Sequence, residues 1–338
     1  MTETLANCCP LCNEPAHLIR RGFSGYRAPD TYDINGCDKC DLQFASPFKS
    51  DPSIYDAIYA CPDLLSGYAR YLEYRRAVLG ARDPLGLLAS SEPMYWFVAA
   101  TTGELNRDRS KKILEVGCGL GYLTYALKQA GHDASGLDIS ERAIADAKRS
   151  FGDHYICADV NVMSAQAAGS FDIVVMTEVL EHLDAPLSVL RSIHALLRPG
   201  GVALVSTPNK DFLPPDAVWR TDNPPVHLAW YSRTSLREMA RRTNFHVRFA
   251  DFSVFNQEQV AGIGGRRDLA SGSGAFRLSP SNQPLDALPP PRGTASLVDR
   301  VPGLRRLLRR RKYVRRALEL YAPQSEVLGV ILERPAGS

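Results

Sequence analysis

The chain has 338 residues, 45% of them apolar, and a formal net charge of +3. That length suits one large domain or two to three smaller ones, and the apolar share supports a sizeable core and argues against global disorder. A charge this small does not by itself imply nucleic acid, and no apolar run approaches the roughly 18 residues of a membrane span. The N-terminus, "MTETLANCCPLC", lacks a basic-then-apolar signal pattern, so a cytoplasmic location is expected. Cysteines there serve more often as thiols or metal ligands than as disulfides.

In chain order, residues 1–50 carry five of the eight cysteines. Residues 51–110 read as a helical connector, with "YARYLEYRRAVLGA" at helical spacing. From Lys111 the pattern alternates. "KKILEVG" reads as a strand and "GYLTYALKQAG" as a helix closed by Gly131. "DASGLDIS" and "ERAIADAKRSF" are a second strand and helix; "HYICADV" and "FDIVVMTEV" are third and fourth strands. "PLSVLRSIHALLRPGG" is a helix with Asp184 as N-cap and Pro186 in its first turn. "GVALVSTPN" is a fifth strand, "RTSLREMARRT" a helix, "NFHVRFADFSVF" a sixth strand and "SEVLGVILERP" the last. Strands alternating with helices predict an α/β, Rossmann-like, doubly wound seven-stranded sheet over 111–338. Residues 262–298, rich in Gly, Ser and Pro, read as a mobile insertion. A basic helix is expected over 302–321.

"LEVGCGLGYL" places Gly117, Gly119 and Gly121 between the first strand and its helix, where glycines permit a tight turn and close approach to a ligand. The third glycine comes one residue too early for the dinucleotide fingerprint. Glu115, two residues before the loop, suits a ligand bearing a cationic amine. Together with "GLDIS", "CADV", "FDIVVMTEVLEHL" and "LRPGG", in that order and spacing, this segment resembles the class I S-adenosylmethionine-dependent methyltransferases. The resemblance covers about residues 111–250 plus the last strand. It implies that Glu115 holds the methionine amine, and that Gly117, Cys118, Gly119 and Gly121 line the methionine and ribose. Asp138 would bind both ribose hydroxyls, and Asp159 with the Val160 backbone would face the adenine. Ile139 and Thr177 complete the implied cofactor set.

Cys9-x-x-Cys12 and Cys37-x-x-Cys40, with 24 residues between the pairs, follow the spacing logic of a four-thiolate zinc ribbon. Cys8 is an alternative to Cys9, less favoured because Cys9-Pro10-x-Cys12 makes the tighter turn. The zinc is assigned to folding rather than chemistry. A ribbon ahead of this methyltransferase segment resembles many bacterial enzymes that modify sugars, polysaccharides or secondary metabolites. It differs from rRNA guanine methyltransferases with an N-terminal zinc site, in which a histidine typically replaces one second-knuckle cysteine; here that position is Cys40.

"TEVLEHLDAP" holds Glu178, Glu181 and His182. The cap residues start the regular helix after His182, so the trio is expected in a turn at the carboxyl end of the fourth strand, the edge where ligands bind in open α/β sheets. Three readings stand open. "EVLEH" is similar to a segment of ubiquinone-biosynthesis O-methyltransferases in which two glutamates and a histidine are associated with magnesium. His182 could instead deprotonate an acceptor hydroxyl, or the residues could only orient the loop. A histidine is an unusual magnesium ligand. His227, in "PPVHLAWYS", is the second catalytic candidate, with Trp219, Trp230 and Tyr231 as apolar acceptor walls.

The expected reaction is in-line methyl transfer, most plainly to a hydroxyl of a small-molecule, sugar or glycan acceptor. An RNA methyltransferase and a non-catalytic cofactor-binding module are the alternatives. The basic helix suits an anionic membrane surface, a phosphorylated acceptor, RNA, or simply a solvated face on a docked helix. Nucleic acid is not the favoured partner, a membrane-peripheral location rests on that helix alone, and oligomeric state is not legible.

Overall fold

Residues 8–61, 64–65, 68–212, 222–260, 277–285 and 325–337 are described in the computed structural model of the chain. The N-terminal region is a hairpin, β1 (His17–Ser24) and β2 (Thr31–Gly36), followed by β3 (Gln43–Ser46), all antiparallel. The connector holds four helices: α1 (Pro52–Ala60), α2 (Ala69–Gly80), α3 (Pro84–Ser91) and α4 (Pro93–Leu105). Asp51 and Asp83 cap α1 and α3, each followed by a proline that needs no hydrogen-bonding partner for its nitrogen.

The alternating region runs β4 (Lys112–Val116), α5 (Tyr122–Gln129), β5 (Asp133–Asp138), α6 (Glu141–Phe151), β6 (Tyr155–Cys157), α7 (Val160–Gln166), β7 (Phe171–Thr177), α8 (Pro186–Leu196) and β8 (Leu197–Pro208). After these come β9 (Ala229–Trp230), α9 (Arg233–Arg242), β10 (His246–Phe249), α10 (Ser253–Val260) and β11 (Val327–Glu333). The expected seven-stranded sheet is present, in the order β10-β11-β8-β7-β4-β5-β6. It is parallel from β8 to β6, whereas β11 and β10 pair antiparallel at one edge.

Both faces of the sheet are covered at its centre, which explains why β4, β7, β8 and β11 carry long apolar runs. Along β7, Val174 and Met176 enter one core and Ile173 and Val175 the other, as the period of two requires. The second core is closed by α2–α5 residues such as Val78, Leu88, Phe97 and Leu123. The first is closed by α8 and α9 and also by Cys9, Cys12, Cys37 and Cys40. The N-terminal region is therefore tied to the main sheet. Strand β9 completes its four-stranded sheet, order β1-β2-β3-β9.

Several expectations are corrected. The cap of α8 is Ala185, without a side-chain bond; Asp184 instead accepts from the Ser50 hydroxyl and amide. "LRPGG" belongs to β8 rather than to the helix before it. The sixth strand is only His246–Phe249, and "SVF" begins α10. Helix α7 follows "CAD" unforeseen, because seven residues are too few to show a period. Cys157, at the end of β6, is exposed although its neighbours in the chain are apolar. Within the insertion expected to be mobile, residues 277–285 dock on the N-terminal hairpin: Leu278 is fully buried and its carbonyl accepts from the Ala28 amide. The rest of 262–298, the basic helix 302–321 and Trp219 lie outside the described residues.

Candidate functional site

The carboxyl edge of the sheet opens into a cavity of about 650 Å³. Its floor is the loop between β4 and α5. Gly117 has φ +75°, and its amide and that of Cys118 both donate to the Leu137 carbonyl, at 2.8 and 3.1 Å. A Cβ on Gly117 would lie 2.4 Å from Val179, so a side chain there would both strain the backbone and close the gap. Gly121, φ +80°, starts α5 with Tyr155 and Ala147 against it.

Asp138 ends β5 beside this loop. Its Oδ2 accepts from the Gly119 amide at 2.8 Å and its Oδ1 from the Ser140 amide at 2.9 Å. A carboxylate has about four acceptor sites; the remaining two suit a vicinal pair of hydroxyls. Glu115 is buried and accepts from the Thr124 hydroxyl. Burial pushes its carboxyl up to about 8, against the Thr124 bonds that hold it down. A buried acid in that condition is stabilised by a ligand cation. Cys118, Ile139, Asp159, Val160 and Thr177 also line the cavity. Asp159 is occupied as the cap of α7, accepting from the Asn161 amide and side chain, and Ile139 stands at the exposed rim.

On the opposite wall, "LEH" of "TEVLEHLDAP" forms a single 3-10 turn, Leu180–His182, rather than part of α8. Glu178 sits at φ +52°, a strained value for a side-chain-bearing residue. Its carboxylate accepts from Ser206 Oγ at 2.8 Å, and that of Glu181 from Thr207 Oγ1 at 2.9 Å. Burial raises both carboxyl groups; the Glu178 charge raises Glu181 further, and Glu92 and Asp222 add to the rise of Glu178, so the pair does not ionise together readily.

His182 Nδ1 lies 2.7 Å from the Val226 carbonyl. A carbonyl only accepts, so Nδ1 carries the proton and Nε2 keeps a lone pair. His227 packs edge-on, ring centroids 4.9 Å apart. Burial lowers the basicity of both rings, that of His227 to about 3 despite Asp222 nearby. Both are neutral near pH 7. One ligand atom each from Glu181, His182 and His227 converges within 4.8 Å, whereas Glu178 is not in that group. Two imidazoles and one carboxyl are not the oxygen shell that magnesium prefers, so the magnesium expectation finds no support in these residues.

Residues 97–248 match the family model described as a methyltransferase domain. This stretch is a methyltransferase domain. Two curated relatives are ubiquinone biosynthesis O-methyltransferases. That of Bordetella avium (strain 197N) is 36% identical over 108 residues, 30% of this chain and 45% of the relative. That of Pseudomonas aeruginosa (strain UCBPP-PA14) is 36% identical over 106 residues, 30% of this chain and 46% of the relative. The chain thus spans a little under half the length of the curated relatives it matches. Among solved structures, a SAM dependent methyltransferase from Archaeoglobus fulgidus is 16% identical, with a TM-score of 0.38, over 69% of this chain and 93% of that one.

Ahead of the methyltransferase domain, Cys9, Cys12, Cys37 and Cys40 bring their sulfurs within 4.8 Å of one another, all buried. Cys9–Cys40 and Cys12–Cys37 are 3.5 and 3.3 Å apart, too long for disulfide bonds. A tetrahedral zinc with Zn–S of about 2.3 Å sets sulfurs about 3.8 Å apart, which this cluster fits. The knuckles are built alike. Asn13 and Asp41 follow the second cysteine of each at positive φ and donate their amides to the Cys9 and Cys37 carbonyls. Cys8 is exposed and outside the cluster.

The methyltransferase domain's cavity also takes a wall that the sequence reading missed. Tyr59, Tyr71, Tyr95 and Tyr122 line it, with Arg70, Glu92 and Asp222. Arg70 donates to Tyr71 Oη at 3.0 Å and stands 3.6 Å from Glu92. The tyrosine-rich spacing of "YARYLEY" is the sequence signal for this wall, alongside its helical period. Of the apolar walls expected, Trp230 and Tyr231 are buried but do not line the cavity.

Proposed function

We propose that this chain is an S-adenosylmethionine-dependent O-methyltransferase acting on a polyhydroxylated small-molecule or sugar acceptor. The observation that carries this reading is the fixed tautomer of His182. Its protonated Nδ1 is held by the Val226 carbonyl, which leaves a neutral Nε2 lone pair on a wall of the cavity that the glycine loop floors. Bound S-adenosylmethionine would supply an electrophilic methyl on sulfur. Glu115 would hold its amine, Asp138 its ribose hydroxyls, and the Gly117–Gly121 backbone would lie along it. His182 Nε2 would take the proton of the acceptor hydroxyl as that oxygen accepts the methyl from the bound cofactor.

Alignment of acceptor and methyl supplies most of the rate, and the base a further part. Tyrosine faces and the carboxyl groups of Glu92, Glu178, Glu181 and Asp222 suit an acceptor with several hydroxyls and an apolar ring face. Zinc in the four-cysteine cluster is part of the same proposal, as a structural ion. The experiment is incubation of the full chain with methyl-labelled cofactor and metabolite and glycan extracts, read by mass spectrometry. A labelled ether in a hydroxylated product is expected. Label only on nitrogen or carbon would refute O-methylation, and no cofactor binding in calorimetry would refute the reading as a whole.

A further inference from the structure

The cysteine cluster and the His182 turn belong to one hydrogen-bonded path. Strand β3 begins three residues after Cys40 and pairs with β9, Gln43 opposite Trp230 and Phe44 opposite Ala229. Beyond the pairing, the Ala45 amide donates to the Leu228 carbonyl at 2.8 Å, and the Leu228 amide donates to the Glu181 carbonyl at 2.8 Å. Two residues earlier, the Val226 carbonyl accepts from His182 Nδ1 at 2.7 Å and from Tyr55 Oη at 3.2 Å. Tyr231 Oη reaches the Leu180 carbonyl at 3.4 Å. Ala45, Val226 and Leu228 are buried, so water does not replace these bonds at low cost. A second tie runs from Arg242 of α9 to the Cys12 carbonyl at 3.0 Å. The four cysteines share a core with Leu180, Tyr231 and Val174.

The cofactor half of the cavity is held differently. Strands β4 and β5 pair with each other and with β7 and β6, and Asp138 is fixed by Gly119 and Ser140. None of these bonds passes through the N-terminal sheet.

From this asymmetry we infer that the metal-loaded cysteine cluster is a positioning device for the acceptor side of the site: it fixes segment 226–231, and through the Val226 carbonyl it fixes the tautomer and orientation of His182. The cluster itself touches no reacting atom. This rests on the proposed roles of zinc and His182. A zinc ribbon that only stabilised folding would need no bonded connection to that turn. Here, without the metal the β3 register would be loosened, the Leu228 bonds would open, and the His182 ring would lose the acceptor that selects its tautomer.

The test uses the full chain, zinc-loaded or stripped by a thiol-competitive chelator, without cofactor. Backbone hydrogen exchange is followed by mass spectrometry, and the His182 ring by ¹⁵N NMR. In the loaded protein His182 should show a single tautomer protonated at Nδ1. On stripping, exchange should accelerate by about tenfold or more over 179–183 and 226–231 while β4 and β5 stay protected, and the ring signal should average between tautomers. Ala45→Pro deletes the amide that donates to Leu228 and leaves every cysteine in place. It should keep its zinc and reproduce the same changes. The inference is overturned if stripping leaves the turn and the ring signal unchanged, if β4 and β5 lose protection together with the turn, or if Ala45→Pro retains the single tautomer. Because these signals are read without cofactor, failure of the loaded protein to bind S-adenosylhomocysteine would count against the methyltransferase reading and not against this coupling.

Discussion

Replacing Asp138 by alanine isolates the cofactor assignment. In the free protein this carboxylate accepts two backbone amides, Gly119 and Ser140, and has two acceptor sites left for ribose hydroxyls. Hydrogen bonds to a charged group contribute about 1.5–3 kcal/mol each. Water would refill part of the space left by the side chain, so the low end applies to both contacts, about 3 kcal/mol in total. At 1.4 kcal/mol per decade, the Kd for S-adenosylhomocysteine should rise about a hundredfold, measured by titration calorimetry. Asp138→Asn should fall between, because its amide NH2 would face one of two backbone N–H groups and one loop bond must be lost. The thermal midpoint should move little, since burial already opposes the ionised form of this acid. An Asp138→Ala affinity within about threefold of the parent would refute the ribose assignment and, with it, the orientation of the ligand in the cavity.

Glu115 makes cofactor binding pH-dependent. Its carboxyl is raised to about 8 in the free protein, and the ligand ammonium favours the ionised form, so binding below that pH releases a proton. The Kd should fall about tenfold per pH unit from pH 6 towards 8 and then level off, and calorimetry in buffers of different ionisation heat should register the released proton. A flat profile over that range would remove Glu115 from the amine site. Gly117→Ala combines a positive φ with a Cβ 2.4 Å from Val179. It should weaken cofactor binding at least tenfold or destabilise the fold by about 1–3 kcal/mol, read by calorimetry and thermal melting. His182→Gln should lower turnover by about 10²–10⁴ with cofactor affinity unchanged; equal loss of both would show a structural rather than a proton-accepting role. Metal analysis should find one zinc per chain, and Cys12→Ser should lower that content; full zinc retention in the variant would remove Cys12 from the cluster.

The local features were legible because they are set by neighbours in the chain. The glycine loop, the acid ending β5, the paired Cys-x-x-Cys knuckles and the alternation from Lys111 each depend on spacings of a few residues, and apolar periodicity marks strands that are buried on both faces. Even the placement of His182 outside α8 followed from Pro186. Relations between distant segments carried no such mark. Nothing in "HLAWYS" signals that Ala229 and Trp230 pair with β3, because two residues are too few for a strand pattern. Nothing in "EHL" identifies Val226 as the partner of His182, 44 residues away. Glu178 separates from Glu181 and His182 because tertiary packing turns its backbone to φ +52° and gives it Ser206, while His227 comes in from another loop. The sequence by itself determined the sheet, the glycine loop and the cysteine knuckles. Only the tertiary structure decided which groups meet on the acceptor wall and how the cysteine cluster reaches them, because those contacts depend on burial and pairing between segments whose spacing along the chain is unrelated to their distance in space.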